Sequence, residues 1–162
     1  MTLVASTPSW RPLPVQLSFR WSVGGVAVPD TGGTIYKITP ADVGKTITLT
    51  VTGTADGYLT ESRTSIATRP VVGVFTAAPT PTVSGTAKVG QTLTADATGW
   101  TPEHVSIAYQ WLRNGTPITG ATAKTYRLTS ADAGKRIIVQ VTGTKTGYAT
   151  QSKQSASVVV AP

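Results

Sequence analysis

The stretch that decides the fold is VSIAYQWLRNGTPI, residues 105–118. Its apolar side chains fall on one face of an extended chain, at Val105, Ile107, Tyr109 and Trp111. Alternation with a period of two predicts a half-buried β-strand. Asn114-Gly115 then favours a tight hairpin turn, because both residues tolerate positive φ. The stretch therefore predicts a strand, a two-residue turn and a second strand.

The same pattern occurs earlier in the chain as VQLSFRWSVGGVAV, residues 15–28. Residues 1–72 align with residues 91–162 without a gap, and 24 of the 72 pairs are identical. The identical pairs include Trp10/Trp100, Trp21/Trp111, Tyr36/Tyr126, Asp42/Asp132 and Tyr58/Tyr148. Self-similarity at this spacing indicates one small domain present twice.

The rest of the second copy also predicts short strands separated by turns. We expect them at 83–88, 91–96, 117–118, 124–129, along the alternating run 137–141, and at 149–160. Between two of them lies TSADAGK, residues 129–135, where Thr129 can cap one helical turn and Gly134 can end it. About seven strands with this turn spacing are typical of a β-sandwich.

Composition excludes several classes of protein. Of the 162 residues, 13% are charged and none is Cys, which removes disulfides, thiolate metal sites and Cys nucleophiles. No apolar run reaches the roughly 20 residues that a membrane span needs. The N-terminal residues lack the basic and apolar regions of a signal peptide. We therefore expect no membrane span and no signal peptide in this piece.

The net charge of +7 is unevenly divided. Residues 1–72 carry six Lys/Arg and four Asp/Glu, a balance of +2, and residues 73–162 carry eight and three, a balance of +5. Such charge favours anionic polymers in general. The basic residues are dispersed, however, and they are not interleaved with aromatic residues as in nucleic-acid-binding surfaces. We expect no nucleic-acid partner.

The strings AYQWLRNGTPI (108–118) and TYRLTSADAGK (125–135) resemble an immunoglobulin-like (Ig-like) domain. With PTPTVSGTAKVGQTLTA (79–95), GWTP (99–102) and VTGTKTGY (141–148), the chain is similar to the tandem Ig-like repeats of secreted and cell-surface actinobacterial proteins. Both Ig cysteines are absent. The resemblance implies an extracellular stalk, spacer or adhesion module, located outside the cell or in the cell wall.

The fold class predicted is all-β, with two tandem Ig-like antiparallel sandwiches. Residues 1–72 form the first, 73–82 a stiff Pro/Thr/Ala linker, and 83–162 the second. Copy one has no counterpart of residues 81–90, so its sandwich lacks the N-terminal strand. Either the chain is a piece of a longer array of neighbouring repeats, or another chain donates the strand.

Candidate chemistry is sparse. The single histidine, His104, follows Glu103 in a loop without a nucleophile motif, and no acidic loop has metal-ligand spacing. We predict no enzyme activity, metal or cofactor. Trp10 and Trp100 lie in loops, where each either stacks on a sugar or an interface, or caps its own core. Trp21 and Trp111 are predicted core residues.

Three functions fit these observations. The first is a non-catalytic spacer or adhesion scaffold of a bacterial surface or secreted protein. The second is a carbohydrate- or cell-wall-polymer-binding module that uses Trp10 and Trp100. The third is an Ig-like protein of a phage virion surface. Alternating threonines at 46–54 are predicted to form a solvated face, because the second copy does not repeat them.

Overall fold

The computed structural model describes residues 1–7, 9–11, 13–29 and 32–162. The chain divides into two compact units, unit 1 (Met1–Gly73) and unit 2 (Val74–Pro162). All pairs of named strands are antiparallel. Among the described residues, no helix is long and apolar enough to cross a bilayer.

Unit 1 contains two sheets. Its strands are β1 (Thr2–Val4), β2 (Gln16–Val23), β3 (Val26–Ala27), β4 (Ile35–Lys37), β5 (Ile47–Thr54) and β6 (Glu61–Thr64). One sheet has the order β3-β2-β5-β6, and the other is the pair β1-β4. Trp21 lies opposite Leu49 where β2 pairs with β5. The apolar faces of the two sheets enclose the core Trp21, Val23, Tyr36, Ile47, Leu49 and Val51.

Unit 2 repeats this arrangement and adds two strands, one at its start and one at its end. Its strands are β7 (Thr82–Ser84), β8 (Thr92–Asp96), β9 (Ser106–Arg113), β10 (Thr116–Pro117), β11 (Thr125–Arg127), β12 (Arg136–Thr144), β13 (Gln151–Gln154) and β14 (Val158–Val159). The larger sheet runs β10-β9-β12-β13, with β14 also paired to β12. The smaller runs β11-β8-β7. Because β8 corresponds to β1, unit 2 pairs this strand on both sides, whereas unit 1 pairs it with β4 alone.

The predicted hairpin and corner are present. Asn114 and Gly115 have φ of 48° and 85°, as a tight hairpin turn requires. Ser130–Asp132 form a short 3-10 turn in which Thr129 and Asp132 make a capping box. Pro40–Asp42 form the same turn in unit 1. The alternation and turn residues were therefore sufficient to place these elements.

Part of the segment predicted as a linker, 73–82, is packed against unit 2 in the structure. Phe75 and Pro81 are buried, and the Thr76 N–H donates to the Thr101 carbonyl oxygen at 3.0 Å. The first strand is shorter than predicted, since β7 covers only Thr82–Ser84. Most of this segment is thus packed on unit 2, because its aromatic and proline side chains gain more from burial than from extension into water.

The predicted final strand is interrupted between β13 and β14. Ser155 takes the place of a regular ladder residue there: its Oγ accepts from the Val139 N–H at 3.1 Å and donates to the Ala156 carbonyl at 2.8 Å. Ser65 does the same in unit 1, with the Leu49 N–H and the Ile66 carbonyl. A serine hydroxyl that satisfies the backbone locally lets the chain leave the ladder without a buried unpaired group.

Candidate functional site

Among the residues that the structure describes, the side chains that could bind a metal do not come together. Within the described ranges no three His, Cys, Asp or Glu side chains are grouped to hold a metal ion. His104 is exposed and has a positive φ of 59° in its loop. The carboxylates that recur in both units, Asp42 and Asp132, are buried and serve the corner turn.

Asp132 is the centre of a buried polar network in unit 2. Its Oδ2 accepts from the Thr129 N–H at 2.7 Å, the Thr129 hydroxyl at 2.8 Å and the Tyr126 hydroxyl at 3.0 Å. Its Oδ1 pairs with Arg113 Nε at 2.6 Å. Burial alone raises the pKa of Asp132, but hydrogen bonds from Arg113 and Thr129 outweigh it and hold the pKa below its ordinary value. The carboxylate is therefore a charged structural anchor.

Asp42 forms the matching network without an arginine. It accepts from the Thr39 N–H at 2.7 Å, the Thr39 hydroxyl at 3.0 Å and the Tyr36 hydroxyl at 3.1 Å. The pKa of Asp42 is also lowered, since hydrogen bonds from Thr39 and Tyr36 outweigh the effect of burial. Where unit 2 has Arg113, unit 1 has the buried Val23. Both units therefore have the same corner turn, and unit 2 adds the ion pair between Arg113 and Asp132.

The strand tryptophans lie in the cores, as predicted. Trp21 is 4% exposed and Trp111 is fully buried. Each indole N–H donates to a backbone carbonyl of the loop that follows, that of Gly33 at 3.0 Å and that of Ala123 at 2.9 Å. These side chains both fill the core and fix the loop, so neither is available to a ligand.

The loop tryptophans Trp10 and Trp100 pack across glycines of the long central strands. A β-carbon added to Gly53 would lie 2.6 Å from Trp10 Cε3, and one added to Gly143 would lie 2.6 Å from Trp100 Cε3. Both indole N–H groups are buried without an acceptor among the described residues. In each unit the repeated Val-Thr-Gly-Thr run provides the flat strand surface that its tryptophan covers.

The two loop tryptophans differ in what covers their other side. Trp100 is 8% exposed, because Phe75 packs edge-on against it with ring centroids 5.2 Å apart. Phe75 also contacts Tyr148, at 5.6 Å. In unit 1, Trp10 is only half-buried, and the Arg63 guanidinium lies 5.6 Å from its ring centroid. No aromatic residue of the described chain occupies the place of Phe75 there.

The end of unit 1 near Trp10 is consequently open. Tyr58, the counterpart of Tyr148, is 64% exposed, and the neighbouring Leu59 is 97% exposed. A cavity of about 440 Å³ opens beside Tyr58, lined by Leu13, Pro14, Gln16, Thr54, Ala55, Asp56 and Tyr58. We call Trp10, Leu13, Tyr58 and Leu59 the Trp10 surface. The cavity lining combines the apolar Leu13, Pro14 and Ala55 with the polar Gln16, Thr54 and Asp56.

The threonine face predicted on β5 is a hydrogen-bonded ladder. Thr50 pairs with Thr64 through their hydroxyls at 2.8 Å, and Thr52 pairs with Ser62 at 2.7 Å. Unit 2 keeps one such pair, Thr142 with Ser152 at 2.8 Å. The hydroxyls satisfy one another across the strands, which is the ordinary role of such pairs in a sheet.

Comparisons with known proteins support the fold. No protein-family model matches the sequence, and no curated protein matches it. Among solved structures, the amphioxus IgVJ-C2 molecule is 17% identical, covers 99% of this chain and 95% of its own, and has a TM-score of 0.50. Murine CEACAM1b is 16% identical over 93% of this chain and 87% of its own, with a TM-score of 0.40. The tandem Ig repeats of Dlar are 10% identical over 90% and 81%, with a TM-score of 0.30.

The fold is immunoglobulin-like. This agrees with the predicted all-β class and with the Ig-like resemblance of the sequence motifs. At 17% identity the likeness to the amphioxus molecule extends to the fold and not to a function.

The sequence indicated some of the residues that surround the two loop tryptophans, and it did not indicate others. It singled out Trp10 and Trp100, whose role in binding a ligand stays a prediction. It missed Gly53, Gly143 and Phe75. The glycines carried a signal, since both lie in the repeated Val-Thr-Gly-Thr run. For Phe75 there was no such signal, because the Pro/Thr/Ala-rich sequence around it does not indicate which aromatic side chains Phe75 contacts.

Proposed function

We propose that this chain is a pair of non-catalytic Ig-like modules that acts as an extracellular spacer or adhesion scaffold of a bacterial surface or secreted protein. One observation carries the proposal: the tryptophans and corner aspartates that both units keep are used inside the units. The kept tryptophans pack on strands, and the kept aspartates tie down the corner turns. A repeat whose kept tryptophans and aspartates are internal supports is suited to holding other parts at a distance.

The structure gives less support to the polysaccharide-binding alternative. A sugar stacks on an exposed aromatic face, and Trp100 is enclosed by Phe75 and Gly143. The surface hydroxyls of Thr50 and Thr52 are paired with neighbouring strands. The basic excess of residues 73–162 is shared by many soluble domains, so charge alone does not favour a specific wall polymer.

Two measurements test the proposal. Retention of the purified chain on isolated cell walls should be weak and should disappear at about 1 M salt, where charge is screened within about 3 Å. A basic Ig-like domain pair of equal net charge is the control. In the producing bacterium, replacing the chain by an unrelated Ig-like pair of equal length should preserve the function of the protein that carries it.

Retention that survives high salt and exceeds that of the control would favour the wall-polymer binder. Loss of function on replacement by the unrelated pair would show that the surface itself is recognised, which contradicts a spacer role. Labelling of intact cells with an antibody to the chain tests the extracellular location, and absence of labelling on cells that express the protein contradicts it.

A further inference from the structure

The hairpin turn between β9 and β10 contains a chemically reactive pair of residues. Asn114 is the single asparagine of the sequence, and Gly115 follows it. Both residues are exposed, and a β-carbon added to Gly115 would meet nothing within 4 Å. Because glycine has no side chain to crowd its backbone nitrogen, this nitrogen can approach the side-chain amide carbon of the asparagine before it. The pair therefore has the groups that an attack on the Asn114 amide needs.

The folded turn keeps the two reacting atoms apart. Arg113 lies opposite Thr116, and the two residues between them have φ of 48° and 85°, which identifies a type I′ turn. In this turn type the first central residue has ψ of about 30°. At that angle the Asn114 Cβ and the Gly115 nitrogen lie on opposite sides of the Asn114 Cα–C bond. A five-membered ring closes only when they lie on the same side, so the attack requires rotation about this bond.

Hydrogen bonds to β12 and the pairing across the turn resist that rotation. The Asn114 N–H donates to the Arg136 carbonyl oxygen at 2.8 Å, and Asn114 Oδ1 accepts from the Arg136 N–H at 3.0 Å. Rotation about the Cα–C bond redirects the chain at Gly115, which separates Thr116 from Arg113. Movement of the side-chain amide toward the Gly115 nitrogen breaks the bond from the Arg136 N–H. The attack is therefore confined to the moments when the turn is open.

We propose that Asn114 is a self-modification site of unit 2, which deamidates irreversibly when the turn opens. The Gly115 nitrogen loses its proton to solvent and attacks Asn114 Cγ. The new C–N bond forms, the Cγ–Nδ2 bond breaks, and the leaving nitrogen takes up a proton and departs as ammonia. The cyclic imide then adds one water, and it opens at Cγ to give aspartate or at the main-chain carbonyl to give isoaspartate. The inference goes beyond a spacer role, since it assigns a covalent change to one residue.

The two products differ in what they do to the turn. Aspartate keeps the length of the main chain and still offers an oxygen to the Arg136 N–H. Isoaspartate carries an additional methylene in the main chain, so the two-residue turn cannot close with the same pairing. The matching turn of unit 1 is Gly24-Gly25, with φ of 58° and 81° and no side-chain amide. The reaction therefore affects unit 2 and leaves the corresponding turn of unit 1 unchanged.

The full chain and a peptide with the sequence of residues 108–118, AYQWLRNGTPI, are incubated side by side in mildly alkaline buffer. Peptide mapping by mass spectrometry and assay of released ammonia follow the conversion of Asn114. We expect the full chain to convert about tenfold more slowly than the peptide or slower still, since the turn must first open. Urea below the unfolding transition should raise the conversion rate and the exchange rate of the Asn114 amide together. Asn114→Gly, which gives the residue pair of unit 1, sets the background release of ammonia.

Three results would overturn the proposal. The first is a conversion rate in the full chain equal to or above that of the peptide, because the closed turn would then give no protection. The second is a conversion rate that stays constant while urea speeds exchange of the Asn114 amide, because opening would then not limit the reaction. The third concerns the products: the isoaspartate form, separated by chromatography, should unfold at a lower urea concentration than the Asn114→Asp variant. Equal midpoints would contradict the expected effect of the additional methylene.

Discussion

Trp100 lies so close to Gly143 that no other amino acid fits beneath its ring without movement of the indole or the strand. The contact joins a loop to the C-terminal end of the longest strand of unit 2, β12. Because the same relationship holds between Trp10 and Gly53, it is a property of the repeat and not an accident of one copy.

We therefore expect Gly143→Ala to destabilise unit 2 by about 1–3 kcal/mol, the usual cost of overpacking a core. Urea unfolding followed by tryptophan fluorescence measures the change. Gly32→Ala is the control, because a β-carbon there meets nothing within 4 Å. If the cost comes from the indole, Gly143→Ala should cost clearly less in a Trp100→Leu background.

Asp132→Asn should destabilise unit 2 by about 3 kcal/mol, because it leaves Arg113 without its partner and weakens the bonds from Thr129. Asp42→Asn is the matched change in unit 1. It should cost about 2 kcal/mol, since only hydrogen bonds to a charged group are weakened there. Equal costs in the two units, measured by residue-resolved hydrogen exchange, would contradict a contribution from the ion pair.

Arg113→Val places at the corner of unit 2 the residue type that unit 1 has there, since Val23 occupies the matching position. The Arg113 side chain is 30% exposed, so solvent screens the pair, and the expected loss is only about 1 kcal/mol. Tyr126 and Thr129 should continue to hold Asp132, as Tyr36 and Thr39 hold Asp42. A loss as large as that of Asp132→Asn would show that the aspartate needs the arginine.

The lowered pKa values of Asp42 and Asp132 predict acid sensitivity. A carboxyl whose folded pKa lies below its unfolded value adds stability that is complete above about pH 4 and is lost as the pH falls through the folded pKa. The urea concentration at the unfolding midpoint should therefore fall as the pH is lowered below about 4. Asp42→Asn and Asp132→Asn together should flatten this drop, and an unchanged slope in the double variant would contradict the assignment.

Unit 1 should unfold before unit 2. Leu3 and Ala5 are half-buried, whereas Leu93 and Ala95 are fully buried, and Phe75 covers only the second unit. Native-state hydrogen exchange in low urea should give a lower opening free energy for β2 and β5 than for β9 and β12. A single shared opening free energy for all four strands would contradict the expectation.

The sequence predicted those features of the structure that depend on residues close together in the chain. The strand β9 (Ser106–Arg113), the Asn114-Gly115 turn and the Asp132 corner follow from spacing and from φ preferences, which act within a few residues. The burial of Phe75 does not, because its partners Trp100 and Tyr148 are distant in the chain. Composition indicated a stiff linker, and it held no information on the packing of Phe75 against unit 2.

The same distinction explains what was missed around the Trp10 surface. The repeat showed that unit 1 lacks a counterpart of residues 81–90, so the open edge of β1 was predictable from alignment alone. The second open place, beside Tyr58, was not, because recognising it required the Phe75 contacts of unit 2. The roles of Trp10 and Trp100 in ligand binding and the domain boundaries stay predictions.

The fit between tryptophan and glycine has a consequence for how such modules change over evolutionary time. A larger residue in place of Gly53 or Gly143 is tolerated only when the indole above it has already been lost, and the space left by a lost indole favours a larger residue below. The two positions should therefore covary among descendants of this repeat. A tryptophan followed by a glycine at the interval that separates Trp10 from Gly53 would identify diverged copies even where overall identity has faded.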